Sequence, residues 1–313
     1  MALDHYVSQV HLRNFYSRTL GERMHGVRKS DMHGFPCRSE DVCRFDEGST
    51  NEYLQEPRAI ENFLNTVEPF YNASVEKLRS GKIDSEAVYV IAGFVGYVAT
   101  CSPAAMRINT GPLQATLEAT AAVLDEKGEM PTDSLGRKSL TELIEDGTVK
   151  FDIDQKYPQA IGISNIMGRI GAFGNFEWEV LLNNEPESPF FTSDFPVAIE
   201  RTLDARILNR VVPLAPDVAI RIKPDLDANT DDLKFGGFRH RQRKLRGYDI
   251  REINRLIVQS AEKLVFYRDE HHWVKRFIER NSKFRIEPIV QKIRTKKGYV
   301  TISGQTLTEP KAA

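Results

Sequence analysis

The 313-residue sequence predicts an α+β protein. A helical N-terminal half packs against an antiparallel sheet, and helices close the C-terminal end. Three observations predict this. Ile60, Phe63, Leu64, Val67, Phe70 and Tyr71 recur at helical spacing. An uncharged apolar run extends from Ala87 to Ala105. From Phe176 to Leu182 the rhythm changes, with Phe176, Trp178, Val180 and Leu182 alternating with Glu177 and Glu179, as in a half-buried strand.

The elements follow in order. Asp4 to Phe15 reads as a helix that stacks His5, Gln9 and Arg13 on one ridge, because residues four apart share a face. Ser17 to Ser49 reads as loop with one short strand near Asp41 to Asp46. His25, His33, Cys37 and Cys43 lie there without the paired spacing of a zinc site. Glu56 to Gly81 reads as one helix, with Pro57 in its first turn and Gly81 as its stop. Glu68 falls within the apolar rhythm of that helix, as an active-site acid or an ion-pair partner. Asp84 and Ser85 cap the apolar run. Its strongly apolar part, Val88 to Cys101, is short for a span of about 20 residues, so it reads as a buried core helix and no membrane partner is expected. Thr110 to Glu126 and Ser139 to Glu145 read as further helices. Tyr157 to Gly174 begins as a helix and becomes glycine-studded, with Gly168, Gly171 and Gly174 as packing or turn residues. After a turn at Asn183 to Pro189 come strand pieces at Phe190 to Val197, Val211 to Pro216 and Val218 to Ile222. Asp225 to Asp232 is an acidic loop. Helices from Asp249 to about Val265 and from Asp269 to Arg280, with strand pieces at Val265 to Tyr267 and Tyr299 to Ile302, complete the chain.

No low-complexity linker divides the sequence, so residues 1–313 are expected to form one integrated domain, helical over about 1–174 and sheet-containing over about 175–313. The N-terminus carries no apolar leader. Three cysteines without framework spacing fit a reducing, cytoplasmic location. From Lys234 to Gly298 there are 19 Lys and Arg against 7 Asp and Glu, net +12, whereas Met1 to Leu233 holds 23 against 36, net −13. Such a split points to a polyanion partner, or to acidic and basic parts that face each other within the fold.

The opening His5-Tyr6-Val7-Ser8-Gln9, with Leu12-Arg13-Asn14-Phe15, resembles the start of the bacterial family called domain of unknown function 4238, which opens His-Tyr-Val-Pro-Gln and continues Leu-Arg-x-Phe. Thr192-Ser193-Asp194-Phe195-Pro196 is similar to its Thr-Ser-Asp-x-Pro strand end, and Pro213-Leu214-Ala215-Pro216 to its Pro-Leu-Ser-Pro turn. Ser8 stands where that family has proline, Phe195 where Asn is common, and Ala215 where it has Ser. Asn254 sits where the family also has Asn, and Glu68 resembles a Glu it places in this helix. The resemblance runs from His5 to about Tyr267 and implies a layout without an attached activity.

Should the opening helix meet the Thr-Ser-Asp turn, His5 would serve as general acid or base. Asp194 would orient it or bind a metal, and Gln9 would position a water or substrate. Arg13, Ser193 and Asn254 would contact substrate, Arg13 through a phosphate or carboxylate. The basic run Arg239, Arg241, Arg243, Lys244 and Arg246 would bind nucleic acid. This set suits a nuclease, and suits a site using a divalent metal equally. No nucleophile elbow supports a Ser-His-Asp hydrolase. The alternatives are a non-enzymatic module that binds nucleic acid or an acidic protein, its polar ridge structural, and a hydrolase of a small phosphorylated or nucleotide substrate.

Overall fold

A computed structural model describes residues 3–129, 136, 138–204, 206–296 and 298–309. The chain starts with strand β1, Leu3–His5, and a short helix α1, Gln9–Arg13, with Ser8 at its N-cap in an extended conformation. The expected opening helix is therefore only its second half. His5 instead pairs with Arg44 of a later strand that runs antiparallel to β1. The segment 17–49, expected to hold one strand, holds three: β2 (Met24–Arg28), β3 (Gly34–Cys37) and β4 (Arg44–Asp46). The Gly, His and Pro content of β2 and β3 hides them from propensity. Pairing and close packing supply what propensity lacks: a Cβ on Gly26 would sit 2.9 Å from the Phe35 ring, so glycine lets β3 lie against β2.

The expected Glu56 to Gly81 helix is broken into α2 (Ala59–Leu64), a 3-10 turn at Glu68–Phe70 and α3 (Tyr71–Ser80). Pro69 explains the break, since proline lacks an N–H and pushes the preceding residue out of helical geometry. Gly81 closes α3 with φ of 74°, which favours glycine. The apolar helix α4 (Ser85–Cys101) starts where the Asp84 carboxylate accepts the Ala87 N–H at 2.9 Å, and it is buried along nearly its whole length. Ser102 then caps α5 (Pro103–Lys127), which begins before the expected Thr110 and runs through Pro112. No single helix among the described residues is long and apolar enough to cross a membrane. Next come α6 (Leu140–Glu145), started by a Ser139/Glu142 capping box, α7 (Lys156–Ser164) and α8 (Ile166–Asn175).

The sheet follows as β5 (Glu177–Asn183), β6 (Thr192–Ser193), β7 (Ala198–Arg201), β8 (Leu208–Ala215), β9 (Val218–Lys223) and β10 (His240–Leu245). Helix α9 (Gly247–Ser260), β11 (Leu264–Tyr267), α10 (Val274–Asn281) and the ribbon β12 (Arg285–Thr295) and β13 (Gly298–Thr308) end the chain. The class is α+β, and the main sheet is mixed. Its order is β10-β5-β9-β8-β7, antiparallel except that β10 joins β5 in parallel. A second sheet, β3-β2-β11-β6, draws strands from both halves of the sequence. One apolar cluster extends from Val7 through α4 to Trp178, Ile220 and Ile286, on the helical side of the main sheet. A smaller one joins α9 and α10 to Phe190, Phe191 and Val211.

The ribbon is tied to α5 by charge. Arg107 donates to Glu262 and Glu287 at 2.8 Å, Arg294 pairs with Glu126 at 3.0 Å, and Lys292 pairs with Glu118. Its register places Ile289, Ile293, Val300 and Ile302 on the opposite, exposed face.

Among the glycines expected to pack, Gly171 is the tightest, because a Cβ there would lie 1.9 Å from the backbone oxygen of Thr230 in the acidic loop. Gly171→Ala is expected to lower unfolding free energy by about 1–3 kcal/mol in urea titrations. Gly237→Ala, with nothing within 4 Å of the added carbon, should stay within about 0.5 kcal/mol of wild type.

Candidate functional site

Asp4 and His5 at the end of β1, with Gln9 and Arg13 of α1, line one side of an open cleft of about 510 Å³. Ser49, Glu61, Leu64, Asn65 and Glu68 complete its lining. The ridge expected from helical spacing survives without the helix. Gln9 Nε2 lies 3.4 Å from His5 Nδ1, and Arg13 Nη2 donates to Gln9 Oε1 at 3.0 Å. Ser39 Oγ also donates to Gln9 Oε1, at 3.3 Å, and accepts from the Tyr16 hydroxyl at 2.9 Å. These donors fix the Gln9 amide, so its NH₂ faces His5. In that orientation the amide donates to His5 Nδ1, which assigns the ring proton to Nε2, a buried atom without a hydrogen-bond partner of its own among the described residues.

Burial lowers the His5 pKa below 6.5. The Ser39 and Glu40 carbonyls and the Glu68 carboxylate oppose that shift, and Arg44 reinforces it. A neutral imidazole with an accepting nitrogen at a cleft is a general base ready at pH 7. Arg58 gathers two of the three cleft carboxylates, Asp4 at 3.4 Å and Glu61 more closely. Asp4 also accepts the Ser49 N–H at 3.0 Å. Glu68 has no cation partner among the described residues, and neither does Arg13 have a carboxylate. The 3-10 turn at Pro69 puts Glu68 at the cleft wall, and of its two expected roles, active-site acid or ion-pair partner, no ion pair forms among the described residues.

Asp194 does not join this cleft. It is buried, and its carboxylate accepts the backbone N–H groups of Glu262, Lys263 and Leu264 at 2.9, 2.8 and 3.0 Å. Burial pushes its carboxyl up to about 6, against those N–H donors and the ammonium of Lys29. Ser193 is likewise buried, its hydroxyl accepting the Phe195 N–H at 3.1 Å. The expectation that His5 and Asp194 share one reachable site is corrected on this geometry: every oxygen of Asp194 is committed to a backbone turn.

The two motifs do meet, through residues to which the sequence assigned no site role. His11, fully buried on α1, lies 2.7 Å from the Tyr71 hydroxyl through Nδ1 and 2.8 Å from Thr192 Oγ1 through Nε2, and stacks on Phe94. Desolvation holds its pKa down to about 3. Tyr71 and Thr192 are as buried as His11. This is a dry joint with no room for substrate.

Asn254 is a clamp: Oδ1 accepts the Phe191 N–H and Nδ2 donates to the Pro189 carbonyl, both at 2.9 Å in the interior. The basic run forms the edge strand β10, and most of it is neutralised. Arg241 pairs with buried Glu179 at 2.9 Å, Arg243 with Asp249 at 2.9 Å, and Arg239 with Asp225. Lys244 and Arg246 are exposed and carry no ion pair among the described residues. The acidic and basic parts therefore do face each other at β10 and along the ribbon. No group of three or more His, Cys, Asp and Glu side chains among the described residues is arranged to hold a metal ion. The three cysteines are buried and unpaired.

A family model described as protein of unknown function (DUF4238) matches residues 4–271, which includes the cleft and the buried joint and stops short of the ribbon. No curated protein and no solved structure matches the chain.

Two stability outcomes follow from the buried groups. Asp194→Ala, which orphans three backbone N–H groups, should lower unfolding free energy by about 3–5 kcal/mol in urea titrations. The His11 pKa is depressed in the fold, so its contribution is complete above pH 6.5 and shrinks as pH falls toward about 3. The slope is about 1.4 kcal/mol per pH unit within that window. Asp194, raised to about 6, works in the opposite sense between about 6 and 3.8, so the comparison must be internal. The stability gap between wild type and His11→Gln should narrow by roughly 2 kcal/mol between pH 7 and pH 5.

Proposed function

The chain belongs to the DUF4238 family, and from that premise we propose that it is a hydrolase using acid–base catalysis on a small polar substrate in the His5 cleft. The observation that carries this reading is the hydrogen-bonded series Arg13, Gln9, His5 along an open cleft wall, with the His5 ring held neutral. His5 Nδ1 would take a proton from an attacking water. The 3.4 Å contact with Gln9 is long enough to yield to that water, as contacts in unliganded sites often do. The nearby Glu68 charge favours the imidazolium that forms.

Nucleic-acid processing is a second reading. Arg13 at the cleft, with exposed Lys244 and Arg246 elsewhere, favours it. The charge of the cleft weighs the other way. A polynucleotide brings one negative charge per phosphate, and the cleft meets it with Asp4, Glu61 and Glu68 against one unpaired arginine. A binding module without turnover is the third outcome.

Purified protein, with and without divalent metal ions, is incubated with small phosphoesters, carboxylic esters and amides, and with RNA and DNA. Turnover of a small substrate is expected, with His5→Ala lowering kcat/KM by about 10²–10⁴-fold while its melting temperature stays near that of wild type. Its rate should rise through a pKa below 6.5, because only the neutral ring accepts a proton. Cleavage confined to RNA or DNA supports the second reading. Turnover unchanged by His5→Ala, or none in any condition, ends the hydrolase proposal.

A further inference from the structure

We infer that the cleft selects a small zwitterion, a substrate carrying one anionic and one cationic group. This rests on the reading of the His5 cleft as the functional site and adds the class of ligand to it. Four charged side chains other than His5 line the cleft: Asp4, Arg13, Glu61 and Glu68. Arg58, reaching in from the start of α2, pairs with Asp4 and Glu61 together, and the Ser49 N–H takes the second oxygen of Asp4. Those two carboxylates are thereby engaged from within the fold, although one guanidinium against two carboxylates leaves the group net negative.

What the cleft leaves unengaged for a ligand is one charged side chain of each sign, Arg13 and Glu68. Arg13 spends a single N–H on Gln9, and its planar fork retains donors for a carboxylate or phosphate. Glu68 lines the same cleft, held at the turn that Pro69 forces, with no cation among the described residues to meet it. An ammonium group fills that role. A purely anionic ligand would gain Arg13 and face Glu68 unpaired; a purely cationic one would meet the reverse penalty. His5 is joined to Arg13 through Gln9 and feels the charge of Glu68, so a ligand held by both would lie beside the base.

The test uses the full chain and binding alone. ω-Amino acids from glycine to 6-aminohexanoate are titrated against the protein, with the alkanoate and alkylammonium of each length as single-charge controls. Binding is read from the His5 ring resonances and by calorimetry. At least one zwitterion should bind about tenfold more tightly than both of its controls. Arg13→Ala should reduce its affinity to that of the alkylammonium, and Glu68→Gln to that of the alkanoate. Both side chains stand on the cleft wall, and circular dichroism melts verify that each variant is folded. Equal binding of zwitterion and single-charge ligand, zwitterion binding unmoved by both variants, or no binding of any member at tens of millimolar overturns the inference. Failure here with turnover still lost in His5→Ala leaves the hydrolase standing. Zwitterion selection without any hydrolysis leaves the ligand class standing and removes the reaction.

Discussion

Three consecutive residues, Thr192, Ser193 and Asp194, hold the molecule together. Thr192 reaches His11 on the first helix, and His11 reaches Tyr71 on the third. Asp194 takes three backbone N–H groups from the turn that launches β11. One short strand thus fastens the N-terminal helices to the C-terminal strand. Each bond is in a dry interior, where a satisfied polar group stabilises modestly and an unsatisfied one is expensive. That asymmetry makes the joint all-or-none and fixes where α1 lies. The position of α1 in turn places Gln9 and Arg13 along the cleft.

The same helix therefore carries two histidine-linked networks with opposite characters. His11 is sealed between aromatic rings and hydroxyls, and its charge is forbidden by burial. His5, six residues earlier, sits at a cleft wall with Gln9 on one nitrogen. Separation of the two is a matter of backbone. Between the end of β1 at His5 and the Ser8 N-cap of α1 the chain turns, so that one imidazole is buried inward and the other lines the cleft.

Charge is organised by the same economy of contacts. Strand β10 is the most basic stretch of sequence, yet it lies in parallel beside β5, whose Glu179 receives Arg241 as well as Arg221. The ribbon of β12 and β13 turns Lys292 and Arg294 toward acidic residues of α5. Net charge read along the chain overstates the positive surface, because exposed pairs that contribute little stability still cancel a field.

The sequence by itself determined the α+β class, the apolar α4 with its Asp84 cap, the alternating β5, and the pairing of His5, Gln9 and Arg13, since periodicity, capping and four-residue spacing are local properties. It also held the Pro69 that breaks the second helix, a signal that apolar rhythm overrode. The tertiary structure alone decided that β2 and β3 are strands, that the basic run is an edge strand, that Asp194 serves a backbone turn, and that His11 is the true link between the two motifs. Burial and partner identity are sums over contacts between residues distant in sequence. A carboxylate or an imidazole looks the same along the chain, whether water or a backbone turn will surround it.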